Sequence, residues 1–456
     1  MPLKKYDICI IGAGSAGLTM AAVSANLGHK VALIERDKMG GDCLNYGCVP
    51  SKALLAAAKK ELSFNQAMEK VEQAIASIAP HDSQNRFEGM GVDVYRHQGR
   101  FISPTILKAG EDEIQAKRFV IATGSAPFVP PIKGLADTPY LTNETIFKLQ
   151  QQPKHLVIIG GGAIGLEMAF AFKKLGSEVT VVEGAPNILF GSEPEAVAQV
   201  QKTLKDLNIQ VYENAKVEST KATQSGVAVD LNDNVIEGSH LLVATGRQAN
   251  FENLDLAKAK VETAKKIKVN NKLQTSQKHI YAIGDCASQN MFTHHASFEA
   301  SVVIKRLLFG MFWHKNSQSM VPKVLYTHPE VASVGLTQQQ ASQKHGAQNV
   351  RCVHIPLSEN DRAVCEGETD GFIKAVLNRK GYILGVTIVS PHAGELITPW
   401  TTLMTHKRKV ADLSAVTVPY PTYSEINKKV ASEFYKDTFY GKKVQRLSQL
   451  LFKLLG

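Results

Sequence analysis

Two stretches of the chain repeat one pattern of apolar and polar positions. The first opens with an apolar run, Tyr6–Ile11, that reads as a buried strand. Gly12-Ala-Gly14-Ser-Ala-Gly17 follows at once, then a helix to about Leu27, and a second strand, Lys30–Ile34, that ends at Glu35, eighteen residues past Gly17. The second stretch runs through His155–Ile159, Gly160-Gly-Gly162-Ala-Ile-Gly165, a helix to about Leu175 and a strand Glu178–Val182. It ends at Glu183, again eighteen residues past the last glycine. Each is a dinucleotide fingerprint in the context it requires. The glycines permit a tight turn and close approach of a pyrophosphate, the helix N-terminus faces the phosphates, and the acid takes a ribose hydroxyl. Between Glu183 and Gln201 there is no Lys or Arg. A 2′-phosphate there would meet a carboxylate and no local cation, so NADH is expected rather than NADPH.

Two further apolar runs, Val120–Gly124 and Leu242–Gly246, end alike in Ala-Thr-Gly and would close the two nucleotide units with a turn near a cofactor. Tyr281-Ala-Ile-Gly284-Asp285 ends another strand with an acid that could bond the hydroxyls of a flavin side chain; read alone, Asp285 is more simply a helix cap. Gln289 to Phe312 reads as loop, then helix. From Val321 the texture changes to short strands at Thr327–Leu336, Arg351–Pro356, Gly371–Leu377 and Tyr382–Val389. Helical stretches near Ala393–Lys407 and Ser424–Tyr435 follow, which together predict an α+β layer without a phosphate loop. The last stretch, Val444–Leu455, is amphipathic, with Val444, Leu447, Leu451 and Leu454 on one face.

Between the first unit and these later elements lies Gly40–Lys52, GGDCLNYGCVPSK, with Cys43 and Cys48 five positions apart. In an ideal helix that spacing separates Cα atoms by roughly 8–9 Å, beyond the roughly 7 Å limit for a disulfide. A bridge would need a tight turn, for which Asn45, Tyr46 and Gly47 are suited. Cys48 would then sit near the N-terminus of a helix through Ala53–Lys60, where partial positive charge favours the reactive thiolate. The other four cysteines, at 9, 286, 352 and 365, are scattered and read as plain thiols.

The length of 456 residues predicts two or three domains, and 44% hydrophobic with 21% charged residues is ordinary for a globular protein. No apolar run approaches the roughly 18–20 residues of a membrane span. The opening MPLKKYDICIIGAG leads straight into a strand, so it reads as structural rather than as a signal peptide, and a cytoplasmic setting is expected. In that setting one close cysteine pair is more often redox-active than structural. Net charge is +10. Residues 426–456 hold seven Lys/Arg against Glu433 and Asp437, so the tail carries half the excess. It reads as a solvated basic helix or as a peripheral contact for an anionic surface or acidic partner. No nucleic-acid motif accompanies it.

Taken together, GGDCLNYGCVPSKALL, GGGAIGLE, YAIGD, YTHPEVASVGLT and PYPTYSE, in that order, resemble the class I pyridine nucleotide–disulfide oxidoreductases, such as lipoamide dehydrogenase, glutathione reductase and mercuric reductase. The likeness runs from about Tyr6 to Lys429. It implies an α/β fold with two Rossmann-like nucleotide-binding domains and a C-terminal α+β dimerisation domain that completes the partner's site in a homodimer. Residues 1–150 and a return segment 273–318 would bind FAD, 151–272 would bind NAD(H), and 319–456 would form the dimerisation domain. FAD would lie on Gly12, Gly14, Gly17 and Glu35, with contacts from Gly99, Thr123, Gly124, Ser125, Asp285 and the Met291–His294 segment. Lys52 would sit by the flavin and pair with Glu167. NADH would use Gly160, Gly162, Gly165, Glu183 and Gly246. Cys48 would face the flavin, and Cys43 would be the outer thiol of a redox-active disulfide.

The sequence departs from that family at two places. Disulfide-reducing members carry a histidine where this chain has Tyr420, in Tyr420-Pro421-Thr422-Tyr423-Ser424-Glu425; the orienting acid, Glu425, is kept. A histidine with a pKa of about 6.5 suits proton transfer at pH 7, and a tyrosine at about 10 does not. Asp42 replaces the threonine of most relatives, either as an exposed turn acid or as a charge that raises the pKa of Cys43. Mercuric reductases have a tyrosine near position 420, but the last cysteine here is Cys365 and no C-terminal cysteine relay is present. His294 and His295 lack a third ligand in register, so no resident metal is expected. The favoured reading is an NADH-dependent flavoenzyme that delivers electrons to a thiol-bound metal ion or small acceptor. A dihydrolipoyl dehydrogenase with an altered base and a flavin-bearing redox sensor stay open beside it.

Overall fold

The computed structural model describes residues 3–317 and 320–455. The domain boundary expected at 318/319 and the first two residues of the opening stretch lie outside the described residues. The chain forms two compact units, Met1–Ile188 with Ile209–Gln318, and Leu189–Asn208 with Ser319–Gly456.

In the first unit, β1 (Lys4–Ile11) is the apolar run expected of a strand buried on both faces, and its last four residues are buried. It leads through the first glycine turn into α1 (Ser15–Asn26) and then β2 (Val31–Ile34). Two helices carry the cysteines, α2 (Gly41–Asn45) and α3 (Cys48–Lys59). β3 (Val92–Tyr95), β2, β1 and the long β4 (Asp112–Ile121) lie side by side and parallel. The N-terminal part of β4 takes an antiparallel hairpin at 99–109.

The second glycine turn joins β5 (His155–Ile159) to α4 (Ala163–Lys174), which runs on to β6 (Glu178–Val182). With β7 (Gln210–Tyr212) and β8 (His240–Val243) these strands make a four-stranded parallel sheet. A three-stranded antiparallel sheet follows at 219–238. The chain then returns, as β9 (Ile280–Ala282) pairs parallel with Phe119–Ile121 at the end of β4, and α5 (Thr293–Leu307) packs on α1.

The second unit holds an antiparallel sheet in the order β10 (Lys323–Leu325), β11 (Glu330–Gly335), β14 (Ile383–Ser390), β13 (Phe372–Asn378), β12 (Val350–Pro356). The expected strands are all present within a few residues. The expected helix at 393–407 is instead two short helices, Ala393–Leu396 and Thr398–Thr405, the second with proline in its first turn. Trp400 is fully buried there and donates its indole N–H to Asn427 Oδ1 at 2.7 Å, which satisfies the one polar atom its burial would orphan. Two helices close the chain, α6 (Glu425–Phe439) and α7 (Lys442–Leu455), and every described side chain of α7 is exposed. Among the described residues no helix is long and apolar enough to cross a membrane.

Candidate active site

The cysteine stretch folds as two helices with a break between them. Tyr46 (ψ 0°) and Gly47 (φ −126°, ψ −110°) interrupt the helical path, so α3 begins at Cys48 itself, five residues earlier than the sequence pattern suggests. A Cβ on Gly47 would stand 3.0 Å from an Asp42 carboxylate oxygen and 3.3 Å from Cys43 Cα. The break is therefore tight as well as sharp. Asn45 Nδ2 donates to the Met39 and Gly41 carbonyls, and Asn143 Nδ2 to the Tyr46 carbonyl. The Gly40 N–H donates to the Ala13 carbonyl at 3.0 Å, which ties this stretch to the first glycine turn.

Both cysteines are free thiols here, close enough that each shifts the acidity of the other. The bond from Cys43 holds the Cys48 thiol down to about 6; crowding by protein atoms opposes this, and the Thr293 hydroxyl, 3.3 Å away, and the Lys52 charge assist. Cys43 moves the other way, raised first by that same bond and then by burial. The two shifts run in opposite directions and favour the thiolate on Cys48, with the proton kept on Cys43. Lys52 Nζ lies 2.8 Å from Glu167 Oε2, the pairing expected from the resemblance.

Asp42 is not an isolated turn acid. It accepts from Asn143 Nδ2 at 3.1 Å and pairs with Arg247 at 3.0 Å. Its charge raises Cys48, while the Cys43 shift comes from Cys48 and burial. Arg247 follows directly on Gly246, is 13% exposed, and also donates to Ser125 Oγ at 2.7 Å and to the Ser125 carbonyl at 2.9 Å. Ser125 Oγ donates to Asp285 Oδ2 at 2.5 Å. Burial pushes the Asp285 carboxyl up, partly offset by Ser125 and Arg247. Asp285 is therefore part of a network rather than a plain cap. Sequence reasoning passed over Arg247 and Asn143; the Thr-Gly-Arg run was in view, but its partner Asp42 lies about two hundred residues away.

Beside the first glycine turn, Gly12, Glu35, Gly99 and Thr123 line a cavity of about 90 Å³ with the segment Asn250–Leu254. Met291 precedes α5, and the His294 ring stacks on Phe292 at 5.3 Å. His295 is buried and pairs with Glu299 at 3.2 Å.

Tyr420 and Glu425 belong to the second unit. Tyr420 is 70% exposed and donates to Asp361 Oδ2 at 3.0 Å, a bond that raises its pKa above the ordinary tyrosine value. Glu425 is half-buried at the start of α6.

Residues 6–300 match the pyridine nucleotide-disulphide oxidoreductase family, and residues 321–431 match the dimerisation domain of the same family. The chain is similar to the mercuric reductase of Lysinibacillus sphaericus, at 34% identity over 95% of this chain and 83% of that protein. It is also similar to the dihydrolipoyl dehydrogenase of Bacillus subtilis (strain 168), at 31% identity over 92% and 96% of the two chains. Among solved structures, the Cu(II) complex of the HOCl-induced flavoprotein disulfide reductase RclA from Escherichia coli superposes with a TM-score of 0.89 at 28% identity, covering 94% of this chain and all of that one. The chain belongs to the pyridine nucleotide-disulphide oxidoreductase family. It is an FAD-dependent oxidoreductase that takes its electrons from NAD(P)H.

Proposed function

We propose that this enzyme oxidises NADH and delivers the electron pair, by way of Cys48 and Cys43, to a soft metal ion held by thiolates or to another small acceptor, rather than to a plain disulfide. The observation that carries this reading is Tyr420. It occupies the place of the family's base, yet its bond to Asp361 moves its pKa further from neutrality. A metal ion bound between sulfurs needs no proton from a base, so its absence costs little on that route. For a divalent ion taken to the zero-valent state, NADH and the ion yield NAD⁺, a proton and the metal, and electrons balance.

The residues fit FAD in the first unit. The cavity beside Glu35 and Gly99 suits an adenosine, and Asp285 with Ser125 offers polar partners for a hydroxylated chain. Residues 1–150 with 273–318 form this portion, in keeping with the return of β9 to the sheet, and 151–272 form the NADH portion. Glu183 and the lack of nearby cations favour NADH over NADPH. When bound, FAD accepts a hydride from the nicotinamide and passes an electron pair to the sulfur that faces it. Cys48, as the thiolate, is the sulfur suited to that position; Cys43 holds the proton and is the outer thiol. Residues 319–456 form the dimerisation domain of a homodimer, with the basic helix α7 as its tail.

A dihydrolipoyl dehydrogenase is the second reading, supported by the retained Glu425 and by the Bacillus subtilis relative. Steady-state assays with NADH against Hg(II), Cu(II), a quinone, lipoamide and glutathione disulfide separate the two. A missing base costs about 10²–10⁴-fold, so lipoamide is expected to turn over at least about a hundredfold more slowly than the best acceptor, and Tyr420→His to raise that rate. Fast lipoamide turnover, unchanged in Tyr420→Phe, overturns the proposal.

A further inference from the structure

The C-terminal helix α7 is outside both family matches, which end at residue 431. Its fourteen residues are KKVQRLSQLLFKLL, with four basic side chains and no acid. At 3.6 residues per turn, Val444, Leu447, Leu451, Leu454 and Leu455 fall on one face, and Lys442, Arg446, Gln449 and Lys453 on the opposite one. The apolar face is open to solvent, most fully towards its end: Leu454 and Leu455 are 71% and 86% exposed, and Phe452 at its border is 80% exposed. Phe439 and Tyr440, just before the helix, are exposed too. A helix of about 21 Å is too short to span a bilayer core of about 30 Å. Strong segregation of the faces, low net hydrophobicity, basic residues on one side and Leu/Phe on the other suit a helix lying flat at a lipid–water interface. The aromatic pair fits the headgroup level, and the unbroken positive charge selects an anionic surface.

We propose that α7 docks the enzyme on anionic lipid bilayers, with Val444, Leu447, Leu451 and Leu454 in the acyl boundary and Lys442, Arg446 and Lys453 among the headgroups. The test is co-sedimentation of the full-length, FAD-loaded protein with vesicles of phosphatidylcholine alone or of phosphatidylcholine with phosphatidylglycerol. The bound fraction is expected to be at least about tenfold higher on the anionic vesicles and to fall as salt rises. Leu451→Glu/Leu454→Glu is expected to abolish binding. Lys442→Gln/Arg446→Gln is expected to weaken it by about fivefold or more per charge removed. Both double variants should keep wild-type FAD content and NADH oxidation, because all four side chains are exposed and none belongs to the site built from the first unit. Equal binding to neutral vesicles, or binding unaffected by Leu451→Glu/Leu454→Glu, overturns the proposal. So does a wild type that ignores both vesicles while the same double variant changes the oligomeric state in sedimentation velocity, since the occupant of the apolar face is then a second copy of the chain.

Discussion

The two glycine turns are built alike and differ in what encloses them. Gly12 and Gly160 have φ of +107° and +116°, and a Cβ on either would lie 2.3 or 2.4 Å from a carbonyl oxygen, Ala122 or Ala244. Gly17 and Gly165 repeat the match: a Cβ would lie 1.8 and 2.0 Å from the Gly12 and Gly160 oxygens. Glu35 accepts the Ala13 and Asp37 N–H groups, both at 2.7 Å, and Glu183 those of Gly161 and Ala185, both at 2.6 Å. Each acid thus braces its own turn and still has lone pairs for a ribose. Around the first turn, however, α2 packs so closely that a Cβ on Gly41 would stand 2.7 Å from Gly14 Cα. At the second, Gly162, Ala163 and Ile164 are exposed. On the proposed reading each turn cradles a pyrophosphate, and the enclosure is then expected to decide how long the ligand stays, because affinity differences between alike sites fall mainly on the rate of leaving. A nucleotide that remains bound suits the first site, and one that exchanges every turnover suits the second.

The largest expected effect separates the two turns directly. Gly12→Ala forces a side chain into a left-handed backbone and against a carbonyl. It should yield protein without FAD, destabilised by roughly 3 kcal/mol, measurable as lost visible absorbance and a lowered Tm. Gly160→Ala meets the same clash but should keep its FAD and raise the KM for NADH by about fiftyfold or more, equivalent to ~2.3 kcal/mol. Equal loss of FAD in both variants would break the contrast.

A smaller effect tests what joins the two turns. Lys52 on α3 pairs with Glu167 on α4, the helix that the second turn opens. The Lys52 charge is one of the causes holding Cys48 down to about 6. A lowered thiol pKa means the thiolate persists at pH 7 and is lost as pH falls through about 6, so the thiolate-to-flavin absorbance of the reduced enzyme should titrate there. Lys52→Met should move that midpoint upward. A rise of about one unit would cut the thiolate share at pH 7 from about nine-tenths to about half. Glu167→Gln should move it less, because Lys52 keeps its charge. An unmoved midpoint in Lys52→Met would show that Cys43 and Thr293 set the acidity without the Lys52 charge.

Much of this was legible in the chain because it is local. Each glycine turn, its strands and its acid lie within about thirty residues, so spacing alone carries the geometry. The Asn45–Gly47 break was also readable, since a helix could not bring the cysteines together. The start of α3 was misplaced because Val49 and Pro50 disguise a first helical turn, where proline is tolerated. What stayed hidden is non-local. Asn143 and Arg247 reach Asp42 across about one hundred and two hundred residues, and no periodicity announces such a pair. The Tyr420 partner, Asp361, was invisible for the same reason.

The smallest expected effect falls on that hidden pair. Arg247 opens a short strand, Arg247–Ala249, that pairs antiparallel with Ser125–Pro127, and it places its guanidinium 3.0 Å from Asp42 and 3.9 Å from Asp285. Asp42 raises the Cys48 pKa, and Arg247 holds a compensating charge against it. Arg247→Gln should therefore raise the Cys48 midpoint by less than about one unit, a change under ~1.4 kcal/mol, in the same titration. Asp42→Asn should lower it, and the double variant should match Asp42→Asn rather than the sum of the two shifts, since Arg247 acts on the thiol chiefly through Asp42. Arg247→Lys should recover only part of the effect, because one ammonium cannot reach Asp42, the Ser125 carbonyl and the Ser125 hydroxyl as a planar fork does. Strict additivity of the two single shifts would mean that Asp42 and Arg247 act on Cys48 independently, and that Arg247 does not work by compensating Asp42.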